Sequence, residues 1–359
     1  MDFGLSEEQQ LLQETLRNFV ARECPPPRVR ALFDAGDGAA PDLWKGMAEM
    51  GLLGLALPED CGGAGLELLD LALAAELLGA GAVPGPFFGH ALAGLAIAAG
   101  GSPAQRERWL PRLASGELVA SVAFGEGGDR WEAGDWSAAL SGSRLSGAKR
   151  FAPCAELADL IVVGARGAEL VVVERGAAGL ALSGEDGVDR GRPIAALRFA
   201  DTPCEPLARG REVASRVRDA GLVLLAADSF GAAWRLIELC VDYTRTRQQF
   251  GQPLAQFQAV KHQLANMATE IEPTRGLFWY AAHAFDHLPA ESERLAAIAK
   301  AHITDRALDV ARAAVELHGG LGFTWECDVQ IWFKRAMWNR AFLGTPELHR
   351  ERSAALAGW

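Results

Sequence analysis

The residues able to do chemistry fall in a few spaced clusters. Arg247 closes a long helical stretch and is followed by Gln248-Gln249-Phe250-Gly251 and then by Phe257-Gln258. A fixed guanidinium beside a glycine turn suits an anionic group, to which arginine donates paired hydrogen bonds. The plain alternative is an exposed helix-end charge. A second turn, Gly319-Gly320 after His318, would let backbone approach a bound group closely, or would simply join two helices. Asp219, Asp228 and Glu347 are the carboxylates available as a proton-abstracting base, and each reads first as a solvated or capping residue. His262 and His318 read as packing residues. Six cysteines (24, 61, 154, 204, 240 and 327) form no CxxC pair and no zinc spacing. They point to reduced, packed thiols, no metal site and a cytoplasmic location.

These residues need a large framework to position them. The chain has 359 residues, half of them apolar, with a net charge of −11, so it can build an extensive core and is a poor match for nucleic acid. No apolar run approaches the ~18–20 residues of a membrane span, the best being 222–227. Asp2, Glu7, Glu8 and Gln9 give the start no basic region of a secretory signal. Three zones follow, and together they predict a multidomain α+β chain. Residues 1–117 read as helical: Ser6 and Gln9 form a capping box, the three prolines at 25–27 stop the first helix, and further helices follow Pro41, span 66–78 and 88–99, and run from Pro103 to about 115. Residues 118–209 carry short β-rich runs at 119–124, 160–163, 170–173 and 197–199 between glycine turns, suiting a small antiparallel barrel or sandwich. Residues 210–359 show long periodic stretches, read as helices at 212–247, 256–287, 291–317 and 326–340, a four-helix bundle.

The passage from Tyr243 to Met267, with Arg247-Gln248-Gln249-Phe250-Gly251 and Phe257-Gln258, resembles the R-x-Q-F-G and F-Q hallmark of the acyl-CoA dehydrogenase family. Three further segments match in order: Pro58-Glu59-Asp60-Cys61-Gly62-Gly63-Ala64-Gly65, Leu145-Ser146-Gly147-Ala148-Lys149-Arg150-Phe151, and His318-Gly319-Gly320-Leu321-Gly322-Phe323. Four motifs in sequence span essentially the whole chain. The resemblance implies a flavoprotein oxidoreductase that uses FAD to desaturate an acyl-CoA thioester, working as an oligomer and passing electrons to an acceptor such as electron-transfer flavoprotein. It implies FAD contacts at Arg247, Gln249, Phe250, Phe257, Gln258, Gly319, Gly320, Gly344 and Thr345. Glu316 stands where the family has glutamine.

The chain also departs from the family. The catalytic glutamate of the Tyr-Glu-Gly-Thr segment corresponds to Leu343 in Phe342-Leu343-Gly344-Thr345, and the alternative base position on an earlier helix falls on Gly221, with Leu222 beside it. The loop that serves the flavin ring corresponds to a shortened stretch, 124–129. The family's Trp-Ile-Thr ring contact is matched by Phe151-Ala152-Pro153. Base, ring loop and ring platform are altered together while the nucleotide-holding motif is intact. This implies one subunit of an unequal pair, resembling the degenerate chains of actinobacterial α2β2 dehydrogenases. The alternatives are a self-sufficient homo-oligomer with a relocated base and a non-catalytic assembly subunit.

Overall fold

The computed structural model describes residues 4–359; Asp2 lies outside them. Helix α1 (Glu7–Glu23) starts at the expected capping box, with Gln9 N donating to Ser6 Oγ at 3.2 Å and Ser6 N to Gln9 Oε1 at 3.0 Å. The prolines that end it also begin α2 (Pro26–Ala35), which the sequence reading did not contain. In the first helical turn a missing N–H costs nothing, so a proline cluster that stops one helix can open the next. Helices α3 (Pro41–Glu49), α4 (Leu68–Ala80), α5 (Phe87–Gly100) and α6 (Pro103–Ala114) complete the N-terminal region.

Strands β1 (Ala120–Ala123), β2 (Ala139–Ser141), β3 (Arg144–Pro153), β4 (Leu160–Ala165), β5 (Glu169–Glu174), β6 (Leu180–Glu185), β7 (Ile194–Pro203) and β8 (Glu205–Pro206) form two four-stranded sheets, ordered β1-β4-β5-β8 and β2-β3-β7-β6. The result is a sandwich with no closed barrel. It is antiparallel except for the β1–β4 pair, which is parallel because the chain crosses to the other sheet between them. β4 is buried on both faces: Ile161 and Val163 enter the core between the sheets, while Leu160 and Val162 join the helical core. Double burial explains why β4 reads as a continuous apolar run.

The C-terminal region contains α7 (Gly210–Thr246), α8 (Gln258–Ile271), α9 (Thr274–His287), α10 (Pro289–Leu317), α11 (Val329–Ala341) and α12 (Pro346–Leu356). The single helix expected over 256–287 is broken at Glu272-Pro273, where proline removes a backbone donor. Helix α12 was not expected. Contrary to the run-length reading, α7 is long and apolar enough to cross a membrane, yet 89% of its apolar window is buried in the protein. It is the central rod of the helical core, against which α4, α5, α10 and α11 pack.

Candidate functional site

Two regions hold the residues singled out above. At the first, α7 ends and Arg247 turns into extended backbone, its N–H donating to Tyr243 O at 2.8 Å. A tight hairpin follows, pairing Gln248 with Pro253 and Gln249 with Gln252 around Phe250 and Gly251, both at positive φ. Leu254 N returns a hydrogen bond to Arg247 O at 2.8 Å. Arg247, Gln249 and Gln258 are exposed, and Phe250 is 90% exposed with its ring edge-on to Phe257. Among the described residues Arg247 has no side-chain partner, and neither do the nearby Arg245 and Lys261. The glycine turn is drawn to the hairpin by a stack of Tyr243 on His318, ring centroids 4.2 Å apart. His318 is buried and its Nδ1 lies 2.8 Å from Ala314 O, which makes Nδ1 the protonated nitrogen; burial pushes its pKa below the usual imidazole range. Gly319 (φ +59°) and Gly320 are exposed, and a Cβ at either would meet nothing within 4 Å. Glu316 is exposed one turn earlier. An unpaired guanidinium, open glycines and free backbone suit a diphosphate arriving from outside this chain.

The second region lies between the β sandwich and the bundle. Leu343 is fully buried at φ +59°, and its carbonyl accepts a hydrogen bond from His349 Nε2 at 2.8 Å. A Cβ on Gly221 would come within 2.6 Å of Leu343 Cδ1 and 3.0 Å of Leu92 Cδ1. The two base positions therefore meet in space, and hydrocarbon fills the gap between them. Gly344 (φ +99°) makes the turn and Thr345 caps α12, its Oγ1 accepting from Leu348 N at 3.5 Å. Phe342 stacks on Trp338 with centroids 4.4 Å apart, meets Phe88 edge-on at 5.6 Å and lies 5.0 Å from Trp131, which stacks on Phe151 at 5.7 Å. This continuous aromatic packing spans the ring loop, the ring platform and the base loop. Among the described residues these rings pack on one another, an arrangement that does not suit an isoalloxazine, a flat ring that needs an open slot.

The three carboxylates are separated and engaged. Asp219 is buried and meets Arg218 Nη2 at 3.0 Å and Arg352 Nη2 at 2.9 Å; burial outweighs these cations and raises its pKa. Asp228 is buried in another network, paired with Arg192 and accepting from Asn339 Nδ2 at 2.7 Å, beside the buried Arg335–Asp189 pair. Glu347 is exposed at the start of α12, 2.7 Å from Arg340; the helix-start backbone amide and that arginine hold its carboxyl below the usual range. The sequence reading missed several buried charges. Lys300 donates to Asn339 O at 2.5 Å and Arg340 O at 3.0 Å, and burial pushes its pKa down to about 7. Lys149 and Glu126 pair at 2.7 Å under the ring loop. The visible signal was a lone charge within an apolar run, as at Lys300; Arg218, flanked by Arg216 and Asp219, gave no such signal.

Residues 6–117 match the family description "Acyl-CoA dehydrogenase, N-terminal domain" and residues 208–357 "Acyl-CoA dehydrogenase, C-terminal domain". Acyl-CoA dehydrogenase IpdE2 of Mycobacterium tuberculosis is 34% identical over 342 residues, 95% of this chain and 94% of that protein. Among solved structures, a Tcur3481-Tcur3483 steroid ACAD superposes with a TM-score of 0.91 at 31% identity, covering 98% of this chain and 98% of that one. The ChsE4-ChsE5 complex from Mycobacterium tuberculosis does so with a TM-score of 0.88 at 27% identity, covering 100% of this chain and 99% of that one.

Proposed function

Because this chain belongs to the acyl-CoA dehydrogenase family, oxidoreductases that act on CH–CH groups with FAD, we propose that it serves α,β-dehydrogenation of an acyl-CoA thioester as one half of an unequal pair. In this reading Arg247, Gln249, Phe250, Phe257, Gln258 and the Gly319-Gly320 turn hold the nucleotide end of an FAD seated in a homologous partner. When bound, that FAD supplies the hydride acceptor. This chain's own residues bind and orient: Arg247 offers a bidentate charge to the diphosphate, and the glycines keep the approach clear of side chains. The thioester, the base and the ring pocket belong to the partner, and electrons leave to an acceptor such as electron-transfer flavoprotein. The paired steroid ACAD and the ChsE4-ChsE5 complex support a two-chain assembly and a steroid-like acyl group. Six free, buried thiols support a reducing compartment such as the cytoplasm.

The observation that carries this reading is the contrast between Leu343, sealed against Gly221 and Leu92, and Arg247, exposed with no partner among the described residues. Co-expression with a homologous acyl-CoA dehydrogenase chain tests it: the complex should hold one flavin per two chains and oxidise an acyl-CoA. A chain that alone forms a fully flavinated, active homo-oligomer overturns it. That self-sufficient alternative draws on one observation, the raised pKa of buried Asp219. Asp219→Asn in the isolated chain should then abolish flavin bleaching by substrate.

A further inference from the structure

We infer that residues 129–137 are a built-in plug that occupies the crevice where flavin ring and thioester would otherwise meet, tethered there by Glu132 to Arg218 of α7. This rests on the reading that the chain's own ring site no longer works, and it names what fills that site. Trp131 is 4% exposed and sits between Phe151 of the ring platform and Phe342 of the base loop. Its indole N–H donates to Asp129 Oδ1 at 2.7 Å, so the segment satisfies its own polar edge.

The surroundings are cut to this shape. A Cβ on Gly125 would stand 2.7 Å from the Trp131 ring and 2.9 Å from Arg150 O, so only a bare backbone admits the indole. Trp136, at the far end of the segment, stacks on Phe124 at 5.3 Å and lies over Gly164, where a Cβ would stand 2.5 Å from it. Two tryptophans in one short segment thus lie on two glycine beds.

The tether is set next to the first tryptophan. Glu132 pairs with Arg218, which is 1% exposed and lies one helical turn before Gly221, on the same face of α7. The carboxylate is only half used. Its Oε1 is buried without a partner, Arg352 Nε approaches no closer than 4.0 Å, and Arg352 Nη1 is likewise buried and unpartnered. Beside the packing of Trp131 on Phe342, the polar grip of the plug on the bundle therefore rests chiefly on the Glu132–Arg218 pair, with Arg352 at its edge.

Lumiflavin, an isoalloxazine without the nucleotide tail, tests the crevice independently of the Arg247 hairpin. The full-length chain, with any subunit it co-purifies with, should show no saturable lumiflavin binding beyond that subunit's own site. Trp131→Gly should add a site, with at least a tenfold gain in affinity. Glu132→Gln should speed amide hydrogen exchange across 131–137 at least tenfold while circular dichroism stays unchanged. Should Trp131→Gly fail to fold, Gly125→Ala decides, because it must drive the indole out and raise the same exchange. Native lumiflavin binding equal to the variant's, or unchanged exchange in Glu132→Gln and Gly125→Ala, overturns the plug. A half-flavinated pair in which these variants change nothing defeats the plug alone. An isolated chain that oxidises an acyl-CoA defeats the functional reading.

Discussion

The hairpin at Arg247 and the crevice at Leu343 belong to one helical region, and they treat polarity in opposite ways. At the hairpin the protein leaves a guanidinium unpaired and a phenylalanine 90% in water. Neither arrangement favours the isolated fold, and exposed apolar groups beside free charge mark surfaces that something else covers. At the crevice leucine meets glycine, aromatic rings abut, and the charges Arg218, Asp219 and Lys300 are buried with partners. Burial and pairing on this scale mark a core, although Glu132 Oε1, Arg352 Nη1 and His349 Nδ1 are buried there without a hydrogen-bond partner among the described residues. Under the function proposed above, this chain would keep its binding chemistry on its outside and give its inside over to stability.

Putting the family's glutamate back should break the crevice. Leu343→Glu places a carboxylate in the hydrocarbon contact that Leu343 makes with Leu92 and Gly221. An uncompensated buried charge costs about 3–5 kcal/mol, so urea unfolding should show a loss of that size and no dehydrogenase activity gained. A stable, active variant would mean the crevice is a working site. Arg247→Ala should do the reverse. An exposed, unpaired side chain contributes within about 0.5 kcal/mol to stability, so the unfolding midpoint should stay put. FAD retention by the assembled pair should fall roughly tenfold to a hundredfold, the worth of a charge-assisted contact at about 1.5–3 kcal/mol. Equilibrium dialysis of the pair measures it.

Acid should sharpen the contrast. Burial holds His349, behind Leu343, down at about 3, and His90, under the N-terminal helices, down at about 4. Both stay neutral in the fold at pH 5, whereas in the unfolded chain they protonate near 6.5. Lowering the pH through 6.5 therefore loads protons onto the unfolded state first, and stability is lost from pH 6.5 downward until the folded values are reached. At pH 5 each contributes a loss of about 2 kcal/mol. Thermal midpoints between pH 7.5 and 5 should fall, and His349→Gln, which can still donate to Leu343 O, should flatten the slope by about one proton. An unchanged slope would mean His349 is accessible and the crevice is wet.

How much of this was legible in the sequence follows from what each residue depends on. The capping box at Ser6 is a local pattern and appears where expected; the composition change after residue 117 and the two glycine-flanked motifs are local patterns too. Helix α2 was lost because proline carries two meanings, stop and start, which only the surrounding contacts separate. Helix α12 was lost behind the unusual Phe342-Leu343-Gly344-Thr345 stretch, whose positive-φ turn at Leu343 and Gly344 is held by His349. At the site, the absence of a carboxylate at Leu343 could be read directly. What replaced it could not: Trp131 and Phe342 are far apart in the chain, and nothing local says that an indole fills the space a ring loop has given up. The Glu132–Arg218 and Arg192–Asp228 pairs are equally non-local.

The smallest expected effect is the most discriminating, because one chemical change can be made in both regions. Alanine in place of Gly320 adds a methyl group where nothing lies within 4 Å, at a position whose φ is not positive. The fold should be unaffected or gain up to about 0.5–1 kcal/mol, since alanine restricts the unfolded chain more than glycine does. Its cost should appear only as a fewfold loss of FAD from the assembled pair, as the methyl enters space kept for the visitor. Gly319 is the poorer choice, because its φ of +59° would add strain of its own. Gly221→Ala places the same methyl 2.6 Å from Leu343 Cδ1 and should cost about 1–3 kcal/mol by overpacking, with no effect on flavin beyond the stability loss. Denaturation and flavin retention measured on both variants separate the two kinds of glycine. If both variants respond alike, the outside and the inside of this bundle are not the different environments that their charge and packing make them.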